Sequence, residues 1–240
     1  MKKQLLVIGL FTAGTLGLFS CNNEDQDEMP NATVNVKARA IAENSSLEEE
    51  QPVENARTIS GANIISTALS IGNISLHGGD EGAASVQLPL EGDASIGLSL
   101  LESALPLTKT IGTVTLNPGE YADITLQLQQ DTALTETDAM YEKTLKIDGN
   151  VNNQLMTFHT NTEEMLTAAA QSGSISITGN QDIYLNVDIN RLLENVDLTL
   201  AMDGNGNGTI EIEPNNLDGN RDIYLTIIGN LEKALYISGE

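Results

Sequence analysis

From Ile59 onward the apolar residues recur at every second position. Ile124, Leu126 and Leu128 alternate with Asp123, Thr125, Gln127 and Gln129, and Ile183, Leu185, Val187 and Ile189 alternate with Asn186 and Asp188. Val196, Leu198, Leu200 and Met202 alternate with Asp197, Thr199 and Ala201, and Ile210 and Ile212 with Thr209, Glu211 and Glu213. A period of two places one set of side chains on each face of a strand, so each segment predicts a strand with one buried face. Thr33–Ala40 opens the pattern with Val34, Val36 and Ala38 in phase. In Ile64–Leu76 the phase shifts near Gly72-Asn73, which predicts a bulge or bend. Turn signals punctuate the pattern at Gly78-Gly79-Asp80, Gly92-Asp93, Asn117-Pro118-Gly119, Asp148-Gly149-Asn150, Gly179-Asn180 and Asp218-Gly219-Asn220. Together these predict an all-β chain, an antiparallel β-sandwich of roughly nine to twelve strands with one or two short helices.

Helical spacing is sparse. Asn161-Thr162-Glu163-Glu164 has the spacing of a capping box before Met165–Ala170 and predicts two helical turns there. Asn190–Asn195 predicts a single turn. Glu43–Glu54 reads as a long polar surface loop. The heptamer Gly179-Asn180-Gln181-Asp182-Ile183-Tyr184-Leu185 recurs as Gly219-Asn220-Arg221-Asp222-Ile223-Tyr224-Leu225. We read the echo as two turn-into-strand units on one sheet, the alternative being a duplicated turn that binds through Asp182 and Asp222. Residues 33–240 are expected to form a single domain.

The N-terminus departs from this pattern. Lys2 and Lys3 precede an apolar stretch, Leu5–Phe19, of about 15 residues, too short to span a bilayer comfortably. It ends in Leu18-Phe19-Ser20-Cys21, which resembles a bacterial lipobox. That resemblance implies a signal peptide over residues 1–20, lipidation of Cys21 and cleavage before it. Cys21 is the one cysteine of the chain, so neither a disulfide framework nor a cysteine zinc site is available. Residues 21–32 read as a lipidated acidic tether, four of the five residues Glu24–Glu28 being acids. Like charges repel and keep such a segment extended. An acidic cluster behind an acylated cysteine also resembles the surface-export signal of Bacteroidota outer-membrane lipoproteins.

Charge narrows the partners. The chain holds 34 acidic and 11 basic side chains, a net charge of −23. Lys2 and Lys3 are lost with residues 1–20, leaving 9 basic against 34 acidic groups and a net charge of −25. Such a body does not bind phosphate backbones by counterion release, so no nucleic-acid partner is expected.

Asp203-Gly204-Asn205-Gly206-Asn207-Gly208-Thr209-Ile210-Glu211 carries oxygen side chains at positions 1, 3, 5 and 9 of a calcium loop, with Gly208 at position 6. Position 12 is Pro214, which has no side-chain oxygen, so the run also reads as a hairpin loop of residues that tolerate positive φ. If calcium is a cofactor, Asp203, Asn205, Asn207 and Glu211 are its ligands; otherwise none is expected. His77 reads as a turn residue and His159 as the end of a strand. There is no Gly-x-Ser-x-Gly elbow, no His-Glu-x-x-His and no phosphate-binding loop, and no Trp platform for a glycosidase. The expectation is a protein that is not an enzyme. Tyr184 and Tyr224 occupy equivalent places in the echo, out of phase with the buried Ile and Leu. They are the candidate ligand-binding aromatics, expected on the outer face of one sheet.

From Thr113 to the end, Leu116-Asn117-Pro118-Gly119-Glu120-Tyr121, Lys146–Asn150, Met156-Thr157-Phe158, Ile175–Thr178 and Ile183–Ile189 follow in an order that resembles small Bacteroidota outer-membrane lipoproteins with an all-β, immunoglobulin- or transthyretin-like domain. The resemblance implies a surface-exposed outer-membrane protein held by its lipid. It carries over no catalytic residue. The expected function is a non-enzymatic binding or structural module of the cell envelope, its partner a surface protein or a glycan. The alternatives are a calcium-dependent adhesin or glycan-binding module, and a subunit of a fimbrial or nutrient-uptake complex.

Overall fold

The computed structural model describes residues 31–41, 57–79, 85–90 and 95–239. The signal peptide, Cys21, the acidic tether up to Pro30, the Glu43–Glu54 loop and the Gly92-Asp93 turn lie outside the described residues. Fifteen strands run in chain order: β1 Ala32–Ile41, β2 Arg57–Ile59, β3 Ala62–Gly78, β4 Ser85–Gln87, β5 Ile96–Glu102, β6 Leu105–Pro106, β7 Thr108–Leu116, β8 Gly119–Leu128, β9 Leu145–Val151, β10 Gln154–Thr160, β11 Met165–Ala170, β12 Ile175–Ile177, β13 Gln181–Asp188, β14 Thr209–Ile212 and β15 Leu235–Gly239. Two short α-helices interrupt them, α1 Ile189–Leu192 and α2 Arg221–Gly229.

The chain is all-β, as its period-two pattern predicts. The hydrogen-bonded path runs β14-β10-β9-β3-β8-β11-β15-β13-β1-β7, with β2, β4 and β5 also paired to β3, β12 to β8 and β6 to β5. The expectation of a purely antiparallel sheet is corrected. β1 pairs with β13, β10 with β14 and β11 with β15 in parallel. Parallel neighbours need long connections, and here those connections carry the helices and the Gly/Asn loop.

β3 is the hinge of the architecture. Its first half pairs with β9 and β5, and its second half with β8 and β4. The changeover falls at Gly72-Asn73, where the register with β8 shifts and Asn73 takes φ 43°. The phase change in the sequence is thus a bulge that bends one strand between two parts of the sheet. β5, paired to β3, also packs against β1 and β7 at the far end of the path. The sheet therefore closes over one core, filled by Val34, Val36, Ile71, Leu76, Leu100, Ile124, Leu126, Phe158, Ile183 and Ile237, each 1% exposed or less. Leu, Ile and Val dominate it, and Phe158 is its one phenylalanine.

Four segments differ from their predicted structure. Met165–Ala170 is strand β11, not a helix: Leu166, Ala168 and Ala170 are buried at period two between β8 and β15. Val196–Met202 is not a strand. Asp197 caps a single 3-10 turn, Leu198–Leu200, and Leu200 and Met202 stay exposed. Asp148-Gly149-Asn150 lies inside β9; the turn comes at Asn152-Asn153, with φ 51° and 66°. Gly149 is required because a Cβ there would sit 2.5 Å from the Asn63 carbonyl oxygen. The second copy of the echo, Arg221–Leu225, opens helix α2, whereas the first copy is strand β13. The turn predicted near Asn190 is present as α1, capped by Asp188, which accepts from Asn190 and Arg191 N–H.

Candidate functional site

The Gly/Asn run forms a closed loop leading into β14. Asp203 Oδ1 accepts from Gly206 and Asn207 N–H at 2.8 and 3.1 Å, and its Oδ2 accepts from Gly208 N–H and from Gln154 Nε2 at 2.9 and 3.0 Å. The Asn205 and Asn207 carboxamides both donate to Glu211 Oε2, at 2.9 and 3.0 Å, while their oxygens accept from Asn207 and Thr209 N–H. The four residues that the sequence singles out do converge. In this arrangement they accept from N–H groups of the loop itself and, at Asp203 Oδ2, also from Gln154 on β10. Among the described residues no group of three His, Cys, Asp or Glu is placed to hold a metal ion.

Behind the loop lies a clamp built by Asp218, Asn220 and Glu213. Asp218, 2% exposed, accepts from Asn205 N–H at 3.1 Å and from Glu211 N–H at 2.6 Å. Asn220, 6% exposed, accepts from Met202 N–H and donates to the Met202 and Glu211 carbonyls. Glu213, also buried, accepts from Asn215 and Leu217 N–H. The buried side chains of Asp218 and Asn220 thus serve part-buried backbone groups of the loop.

The two candidate tyrosines do not share a face. Tyr224 sits on α2, 7% exposed, with its hydroxyl 3.0 Å from Thr160 Oγ1 and its ring 6.0 Å from that of Phe158. It pins the helix to β10 and presents no ring to solvent. The expectation for Tyr224 is therefore corrected: the helical register turns it inward. Tyr184 does stand on the outer side of β13, but it is 6% exposed. The Arg39 guanidinium lies 4.1 Å from its ring centroid and the Lys37 ammonium 5.9 Å away.

Tyr184 belongs to a wider cluster. Cross-strand neighbours share a face, and the register aligns Lys37 with Tyr184 and Ser238, and Arg39 with Asn186 and Tyr236. Asn186, fully buried, accepts from Arg39 Nε at 2.8 Å and donates to the Tyr184 and Tyr236 carbonyls and to Ser238 Oγ. Lys37 pairs with Asp182, which also accepts from Asn35 Nδ2; these contacts hold the Asp182 carboxyl below its ordinary range. Arg191 bonds Asp188 at 3.2 Å and lies 5.0 Å from the Tyr236 ring centroid. Burial pushes the Tyr236 phenol up and Asp188 adds to this, while Arg191 and Arg39 oppose it. Three cations and two tyrosines thus meet on one face of a strongly acidic chain.

The histidines are separate. His77 is inside β3, not in a turn, with Nε2 2.9 Å from Thr125 Oγ1. His159 lies on β10; burial, and then the Lys143 charge, hold it below its ordinary value against Glu213 and Glu211. On the outer side of β9, Asp148 accepts from Lys146, Ser66 and Thr157. Burial pushes its carboxyl up, but those bonds and the Lys146 charge prevail and lower it.

No model of a known protein family matches the chain, and no curated protein matches it. Among solved structures, MbnP from Methylosinus trichosporium overlaps at a TM-score of 0.45 with 9% identity, over 88% of this chain and 99% of that one. A Bacteroides ovatus protein provisionally assigned to cell adhesion overlaps at a TM-score of 0.17 with 12% identity, over 66% of this chain and 40% of that one. Neither overlap is close enough to transfer a function.

Proposed function

We propose that this protein is a lipid-anchored outer-membrane protein, displayed at the cell surface, whose sheet binds a partner rather than catalysing a reaction. The observation that carries the binding role is the β1–β13–β15 face. Sheet surfaces that only meet water do not need a fully buried asparagine to hold an arginine over a tyrosine ring. Such pre-organisation lowers the ordering cost of recognition. The anchor rests on the Leu18–Cys21 lipobox, and two or more acyl chains hold a protein stably at a bilayer. The likeness to immunoglobulin- and transthyretin-type sandwiches belongs to this reading. It rests on the Asn117-Pro118-Gly119 entry into β8, where the Tyr121 hydroxyl donates to the Asn117 carbonyl at 3.0 Å, a contact like a tyrosine corner. The three parallel pairs depart from that pattern.

The test is Cys21→Ser in the full chain, expressed in a two-membrane bacterium. The parent chain is expected in the outer-membrane fraction, accessible to external protease, and the variant outside it. A variant that stays with the membrane as the parent does removes the anchor from the reading.

The second reading, a calcium-dependent adhesin or glycan-binding module, is favoured by the convergence of Asp203, Asn205, Asn207 and Glu211. Thermal melts of the full chain in calcium and in chelator decide it. A site filled at a hundred times its dissociation constant adds about 2.7 kcal/mol, a Tm rise of roughly 5–10 °C at this size. Coincident melts leave the run as a hairpin loop.

A further inference from the structure

We propose that the β1–β13–β15 face binds a sparsely charged, carboxylate-bearing sugar chain, with Arg39 and Arg191 as the partners of the carboxylate. This rests on the binding role above and names the ligand's chemistry. Arg39 is held in two ways, by Nε on Asn186 and by its stack on Tyr184. Among the described residues neither contact uses the far edge of the guanidinium, the edge that matches a carboxylate with two parallel N–H donors. Arg191, with a side chain 47% exposed, approaches the neighbouring Tyr236 ring, so both arginines are ordered before any ligand arrives.

The surroundings decide what carries the carboxylate. Along β7 the partners of the β1 outer residues are Thr108, Thr110, Thr113 and Thr115, all exposed. With Asn35 and Ser238 they make a rim of neutral donors and acceptors. That rim suits a hydroxyl-rich chain better than an apolar side chain. The net charge of −25 on residues 21–240 sets the charge density. A dense polyanion would be repelled by the body before it reached a face with three cations and two carboxylates, Asp182 and Asp188. A ligand with widely spaced carboxylates meets the local field and little of the global one.

The test is calorimetric titration of the full chain with a hexasaccharide of alternating glucuronate and N-acetylglucosamine, with the same oligosaccharide after reduction of its carboxyls to alcohols, with acetate, and with an acidic hexapeptide. Binding of the charged oligosaccharide is expected. It should weaken about tenfold or more in Arg39→Gln and in Arg191→Gln, and comparably on carboxyl reduction. Arg221→Gln, on α2 away from this face, should bind as the parent does. Arg191→Gln keeps the test open if Arg39→Gln lowers the melting temperature by loosening Tyr184. Failure to bind, equal binding of the reduced oligosaccharide, equal binding of acetate or of the peptide, or unchanged binding in Arg191→Gln would each overturn the assignment. The membrane fractionation of Cys21→Ser reads the envelope role separately, so failure of one leaves the other standing.

Discussion

Phe158→Ala is expected to destabilise the protein by about 3–5 kcal/mol, a Tm drop of roughly 6–20 °C for a domain of this size. Phe158 is 1% exposed and its register partners are Ile147 on β9 and Ile212 on β14. Its ring meets Tyr224 on α2 at 6.0 Å. Removing it opens a cavity where the sheet and the helix meet, and no other phenylalanine of the described core lies nearby to fill it. Tyr224 then loses its ring partner while its hydroxyl stays bonded to Thr160. Phe158→Leu keeps most of the volume and is expected to cost less than about 1.5 kcal/mol. Thermal or urea unfolding of the three proteins checks the series. Equal stability of Phe158→Ala and the parent would mean that α2 does not pack on β10 as described.

The same contact shows why the sequence was legible in some places and opaque in others. Strands with one wet face, such as β8 and β14, announce themselves because every second residue answers to water. β13 keeps that alternation although Ile183–Asp188 are buried on both faces, since its outer residues Tyr184, Asn186 and Asp188 are polar or amphipathic. The echoed heptamer differs only at Gln181 and Arg221, and local propensity cannot separate its two copies. What separates them comes afterwards. The first copy runs on into Asn186-Val187-Asp188 and finds β1 and β15 on either side. The second runs into Thr226-Ile227-Ile228 and buries Tyr224, Ile227 and Leu231 at helical spacing. That apolar rhythm was present in the sequence, and the repeat masked it.

The candidate site divides in the same way. The convergence of Asp203 with Glu211 follows from a short loop, so spacing alone brought those residues together. Arg39 with Asn186 and Tyr236 was out of reach, because β1 and β13 are 147 positions apart in register and pair in parallel. The signal available was modest: Lys37 and Arg39 alternating in β1 in a chain with few cations. The clamp under the Gly/Asn loop shows in the sequence only as the turn signal Asp218-Gly219-Asn220, which does not say that its side chains serve backbone groups of the loop.

That clamp carries the second large effect. Asp218→Ala is expected to cost about 2–4 kcal/mol, because it removes the buried carboxylate that accepts from the part-buried N–H groups of Asn205 and Glu211, at about 1–2 kcal/mol each. Gly204 is tied to the same spot, since a Cβ there would lie 2.3 Å from the Asp218 carbonyl oxygen, so the loop cannot shift to find new partners. Asp218→Asn keeps one acceptor oxygen and should fall between the parent and the alanine variant. The loss is expected to be equal in calcium and in chelator if the loop is held by its own hydrogen bonds. A penalty that appears only when calcium is present would instead make Asp218 part of a metal site and promote the adhesin reading. Melts of the three proteins in both media distinguish these outcomes, because the hydrogen-bond cost belongs to the folded chain alone and the metal term scales with free calcium.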